Sequence, residues 1–241
     1  MKTVLHKSTD RGYANHGWLD THHTFSFGNW YNPNQMHFGA LRVLNDDIVS
    51  PENGFGQHPH ADMEIISIPL KGALTHRDTM GHAQAINTGD VQVMSAGTGL
   101  QHSEFNESKT DEVNFLQLWI FPEKRGVEPR YDQKTFDVSE RKGMWQRIVQ
   151  PKDAEGSGLW VHQNAYMYLI DLKSGDSTEY QLNSEGNGVY FFVIEGALNV
   201  ADQHLDKRDG LGVWESSKVS LSATSESTVL AIEVPMELPQ Y

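Results

Sequence analysis

The pattern that most restricts this chain is a succession of short apolar runs, each cut off by a glycine turn. Runs at residues 63–70, 91–94, 114–121, 166–172, 189–194, 211–214, 218–221 and 229–234 are rich in Leu, Ile, Val and aromatics. They are too short for typical helices. Between them stand Lys71-Gly72, Met80-Gly81, Gly89-Asp90, Gly175-Asp176, Glu195-Gly196 and Asp209-Gly210, dipeptides that favour tight turns. Strands at this spacing predict an all-β chain, a sandwich or barrel rather than alternating β–α units. No long amphipathic helix competes with that reading.

The 241 residues suffice for two ordinary domains, and the chain carries a weak internal repeat. One apolar run leads into Gly72-Ala73-Leu74 and another into Gly196-Ala197-Leu198. A second glycine turn follows each, at Gly89 and at Gly210. The same order of strands and turns predicts two similar β-domains in tandem, over residues 1–125 and 126–241. Residues 122–130 (PEKRGVEPR) hold two prolines, a glycine and five charges. They read as a linker or an exposed crossover, within a linker region of 122–133.

Composition narrows the function. A net charge of −13 opposes binding to a phosphate backbone. The absence of cysteine excludes a disulfide framework, a thiolate metal site and a cysteine nucleophile. The longest wholly apolar run, 189–194, has six residues, against the ~20 of a membrane helix. Residues 1–10 hold no apolar core of signal-peptide length. A soluble cytoplasmic protein without nucleic-acid or membrane partners is the expectation.

Twelve histidines are the unusual feature. His58 and His60 form one i, i+2 pair, and His102 and Glu104 another, 42 residues on from His60. On a strand such side chains leave the same face, about 7 Å apart. Two pairs on neighbouring strands facing a barrel interior would bring three imidazoles and a carboxylate to one divalent first-row metal. An octahedral ion held this way keeps two positions for substrate, water or dioxygen. Glu64 also lies an even number of residues from His60. It reads either as an acceptor behind a ligand imidazole or as an ordinary structural carboxylate.

These residues carry a family resemblance. Gly54, His58-Pro59-His60, Glu64 and Gly72 resemble the first cupin motif. Gly89, Ser95-Ala96-Gly97, His102 and Asn106 resemble the second, with serine where proline is usual. The His-Pro-His segment, residues 94–104 (MSAGTGLQHSE) and residues 23–30 (HTFSFGNW) are similar to pirin signatures. The similarity is strong over residues 11–122 and weaker over 123–241. It implies a bicupin of two jelly-roll-like barrels with one metal site, in the N-terminal domain. The ligands implied are His58, His60, His102 and Glu104, and the metal is usually Fe(2+). Zinc, manganese, nickel, copper and cobalt suit the same donors. The branch most resembled, bacterial pirin-like quercetin 2,3-dioxygenases, implies a flavonol substrate and dioxygen. The flavonol hydroxyl would bind as an oxyanion, and dioxygen would cleave the central ring with loss of carbon monoxide. Glu104 is the carboxylate placed to take the hydroxyl proton. The family also implies an alternative class, a non-enzymatic metal-binding regulator that docks on partner proteins.

Aligning the repeat sets Leu182, Ser184, Ala223 and Ser225 opposite the four candidate ligands, so the second domain reads as a cupin without metal. Two domains that pack on each other suggest a monomer. His16, His22 and His23 flank an aromatic segment (Trp18, Phe25, Phe27, Trp30, Tyr31) that reads as core, with a roof over the metal pocket as the alternative. His76 and His82, near the Met80-Gly81 turn, read as solvated. Trp119, Trp145, Trp160 and Trp214 read as core or interface residues. Gly97-Thr98-Gly99 lacks the lysine of a phosphate loop.

Overall fold

The computed structural model describes residues 1–238. The chain is built from strands, with two short 3-10 turns at Ser8–Asp10 and Val138–Arg141 and no α-helix among the described residues. All eight apolar runs lie in or across strands: residues 63–70 become Glu64–Lys71, 91–94 become Asp90–Ser95, and 114–121 become Val113–Ile120.

Each half has one seven-stranded and one four-stranded sheet. In the front half the larger sheet runs, in spatial order, Arg130–Thr135, Asp90–Ser95, Glu64–Lys71, Val113–Ile120, Leu41–Val49, Leu19–His23 and Gly12–Asn15. The smaller runs Gly54–His60, Leu100–Phe105, Ala73–Asp78 and Ala83–Asn87. In the rear half the larger sheet runs Lys2–His6, Gly210–Trp214, Asn187–Glu195, Ser227–Pro235, Tyr166–Leu172, Gln146–Pro151 and Leu159–Val161. The smaller runs Ser177–Gln181, Lys218–Ala223, Leu198–Val200 and Gln203–Leu205.

Two strands cross the expected division at residue 125. The first strand, Lys2–His6, pairs antiparallel with Gly210–Trp214 in the rear sheet. Arg130–Thr135 returns to pair with Asp90–Ser95 in the front sheet. The segment 122–129, between Val113–Ile120 and Arg130–Thr135, is a crossover packed on the front domain: Val127 O accepts from Thr98 N at 2.9 Å, and Asp62 Oδ1 accepts from Gly126 N at 2.7 Å.

Alternation along the strands sorts the core. Leu116, Leu118 and Ile120 face the rear domain and join Ile66, Ile68, Leu230, Ile232 and Val234 in one cluster. That cluster cements the two larger sheets face to face. The intervening residues turn into each barrel. In the rear barrel they form a continuous apolar core that includes Tyr180, Phe191, Leu198, Leu211 and Leu221. In the front barrel the apolar residues form two small groups, around Phe115 and around Met94. The inward positions between them are polar: Asn45, Asp47, Ser67, Gln92, Glu104 and Gln117 are all buried. The front barrel is therefore the one with a polar, partly hollow interior.

Candidate metal centre

The four-stranded front sheet supplies the candidate ligands. His58 and His60 lie on its edge strand Gly54–His60, where Pro59 has no ladder bond to lose. The neighbouring strand Leu100–Phe105 carries His102 and Glu104. Its pairing puts His102 opposite His58, and a bulge then brings Glu104 opposite Phe55. The extra residue twists the His58 strand locally. Gly54 is required there, because a Cβ would sit 2.2 Å from Glu104 O.

The three rings converge. Ring centroids are 4.9 Å apart for His58–His60, 4.4 Å for His58–His102 and 4.8 Å for His60–His102. Their ligand-type nitrogens all lie within 4.8 Å of one another. His58 Nδ1 donates to Gly56 O at 2.8 Å, leaving Nε2 with its lone pair. Burial, helped by the neighbouring imidazoles, pushes His60 down to about 4 and His102 down to about 3. Both rings are therefore neutral near pH 7, the state in which imidazole ligates.

Glu104 is buried behind this triangle. Gln117 Nε2 donates to its Oε2 at 2.9 Å, and the single hydroxyl hydrogen of Ser67 is shared between Gln117 Oε1 at 2.9 Å and Glu104 Oε1 at 3.2 Å. A ligand-type oxygen of Glu104 groups with His102 and His76, again within 4.8 Å, so the two groups share His102.

A cavity of about 540 Å³ opens on the site. His58, His60 and Glu104 form part of its wall, with Phe27, Trp30, Phe55 and Trp119 as its aromatic lining. Trp119 meets His60 edge-on at 5.0 Å and Phe27 at 5.4 Å. Asp47 lines it too, and burial pushes that carboxyl up to about 7, with the charges of Asp46 and Glu104 adding to the shift.

Residues 5–120 match the Pirin family, and residues 148–234 match the family described as the quercetinase C-terminal cupin domain. The chain is 42% identical over 231 residues to the quercetin 2,3-dioxygenase of Escherichia coli K12, covering 96% of this chain and 98% of that one. This chain belongs to the pirin family. Its fold is that of the E. coli pirin YhhW, whose crystal structure matches with a TM-score of 0.93 at 40% identity over the whole of both chains. A crystal structure of YhhW in complex with nickel(II) matches with a TM-score of 0.91 at 40% identity, over 97% of this chain and 99% of that one. The pirin bicupin architecture accounts for both halves, including the rear barrel whose resemblance was weak in sequence.

The residues of this pirin suit a metal ion. His102 Nε2 is buried and has no hydrogen-bond partner, an expensive state for a polar atom unless something else fills it. It belongs to the ring that meets both His58 and His60. Three nitrogen donors with a carboxylate beside them can hold a divalent first-row metal.

Several expectations change. Glu64 contacts no ligand imidazole: its Oε2 accepts from Ser95 Oγ at 2.8 Å and from the His162 amide of the rear domain at 3.1 Å. His76 is wholly buried beside His102 rather than solvated. Of the aromatic segment, Phe27 and Trp30 line the cavity whereas Phe25 belongs to the interdomain core. Trp119 is a cavity wall rather than plain core. Asp47, Gln117 and Ser67 drew no attention in sequence, since each is an isolated polar residue and only alternation within a known strand places it inward. In the rear barrel, Leu182 packs on the core, Ser184 Oγ bonds Asn164, and Ser225 Oγ accepts from the Ala197 amide at 2.8 Å. These residues serve packing and turns.

Proposed function

We propose that this chain is a metal-dependent dioxygenase that opens the central ring of a flavonol such as quercetin. The observation that carries the reading is the convergence of His58, His60 and His102 beside an aromatic-lined cavity of about 540 Å³ whose wall includes His58, His60 and Glu104. In this reading His58, His60, His102 and Glu104 hold one divalent ion. Iron(II) is the family's usual metal, and nickel(II) is suggested by the nickel complex of YhhW. The ion would raise the acidity of a substrate hydroxyl and offer dioxygen a place beside it.

The chain's own residues do the rest. Phe27, Trp30, Phe55 and Trp119 present apolar faces suited to a flat ring system, and the cavity volume is in the range that encloses a ligand of that size. Holding the substrate there turns an encounter into a positioned reaction. Glu104 takes the hydroxyl proton. Gln117, held in turn by Ser67, occupies one lone pair on Oε2, which fixes the carboxylate and leaves lone pairs free for the proton. The chain is read as a cytoplasmic monomer whose two larger sheets already cover each other.

Metal-free protein should be loaded anaerobically with ferrous ion and then given quercetin and oxygen. Oxygen uptake is expected in the wild type and its loss in His58→Ala, His60→Ala and His102→Ala. Glu104→Gln should lower turnover about 100-fold or more while lowering bound metal far less. Equal falls in both would reduce Glu104 to a ligand. Firm metal binding with no uptake on any flavonol would replace the dioxygenase with a metal-dependent partner-binding module.

A further inference from the structure

Behind the candidate ligands a line of side chains runs from His102 to the surface. His102 Nδ1 lies 3.4 Å from His76 Nδ1. The other nitrogen of His76, Nε2, lies 3.1 Å from Asp78 Oδ2. Asp78 in turn meets His82 Nδ1 at 2.9 Å and accepts from the amides of Met80 and His82 at 2.9 and 3.1 Å. Register explains the line: on adjacent strands Asp78 lies opposite His102, and His76 opposite Glu104. The Tyr131 ring stacks on both His76 (4.6 Å, 29°) and His82 (4.8 Å, 22°).

Only one arrangement of hydrogens satisfies this line with neutral rings. An ionised carboxylate accepts and cannot donate, so His76 Nε2 carries the hydrogen. Burial opposes the charge on Asp78, but its bonds from His76 and His82 outweigh it and hold the carboxyl below its ordinary range. With Nε2 protonated, neutral His76 offers Nδ1 as an acceptor. His102 Nδ1 must then be the donor, and the lone pair of His102 falls on Nε2, the buried atom without a protein partner. A flipped or doubly protonated His76 would put a hydrogen on His102 Nε2 and close the site.

We propose that His76, anchored by Asp78 and His82 and clamped by Tyr131, is a positioning residue that sets the tautomer of His102 for metal binding. This rests on the reading of His102 as a ligand. His76 itself touches no substrate.

The test uses the full chain. Nitrogen NMR of ¹⁵N-histidine-labelled, metal-free protein reads the tautomers directly, with His102 expected as Nδ1–H and His76 as Nε2–H. His76→Phe keeps a ring for Tyr131 to stack on but removes the acceptor. It should abolish the tautomer preference of His102 and lower nickel(II) affinity, measured by chelator competition, by about 10- to 100-fold. Asp78→Asn retains an acceptor oxygen and should keep most of the affinity, whereas Asp78→Ala should lose it as His76→Phe does. This second pair decides the matter if His76→Phe does not fold. His102 found as Nε2–H in the wild type overturns the proposal, as does unchanged affinity in the folded variants. Two bound ions in the wild type and one in His76→Phe would make His76 a ligand and overturn it equally. A wild type that binds no nickel through His58 and His60 overturns the metal reading instead, and the tautomer measurement then decides the His76 line separately.

Discussion

The carboxyl of Glu64 is buried between the two domains, with Ser95 and the His162 amide on one oxygen and nothing on the other. Burial pushes it from 4.5 up to about 7. A raised pKa means that the folded chain binds this proton more readily than the unfolded one. Its stabilising effect is complete below the unfolded value of 4.5 and is lost as pH rises through about 7. Glu64→Gln removes that dependence. The Tm of the variant minus that of the wild type should therefore climb between pH 4.5 and 7, and a flat difference would mean that Glu64 stays ionised in the fold. Sequence could not separate the two roles of Glu64. Residue parity put it on a common face with His60, but a new strand begins at Glu64, and its alternation sends Glu64, Ile66 and Ile68 toward the rear domain while Ser67 turns in to Glu104.

Strands were legible wherever apolar residues ran unbroken. Leu41–Val49 was not, because Asn45, Asp46 and Asp47 interrupt it. Those residues are buried by what surrounds them: Asn45 bonds His23, and Asp46 pairs with Arg208 at 2.8 Å. The edge strand Gly54–His60 was equally opaque, being rich in glycine and histidine. The crossover shows why a motif glycine matters. Gly97 has φ +49°, and a Cβ there would lie 2.0 Å from Val127 O. Gly97→Ala therefore meets both backbone strain and a backbone clash. It should cost about 3 kcal/mol or more in urea unfolding and should loosen residues 122–129, which protease cleavage of that segment would reveal.

The chain is closed on itself by its first strand. His6 Nδ1 meets Tyr190 OH at 2.9 Å, and Asp209 Oδ1 accepts from the Ser8 amide at 2.7 Å, so an N-terminal segment completes the rear sheet. Deleting residues 1–7 exposes the edge strand Gly210–Trp214 and removes the Lys7 ammonium that pairs with Asp209. A loss of at least about 2 kcal/mol is expected, roughly 4–8 °C in Tm, together with a tendency to associate through the freed edge. Unchanged Tm would show that the rear barrel stands without it.

Local chemistry determines much of this protein. Apolar periodicity and glycine turns point to strands, the weak repeat favours two similar domains, and His58, His60 and His102 stand out because i, i+2 spacing on a strand aims side chains one way. Tertiary structure alone decided which polar residues surround them. Glu104 meets Gln117 and Ser67, and His102 meets His76, through pairing between strands distant in the chain. Which of two β-halves is hollow was likewise settled by packing, since a barrel interior is filled or left open by residues contributed from every strand at once.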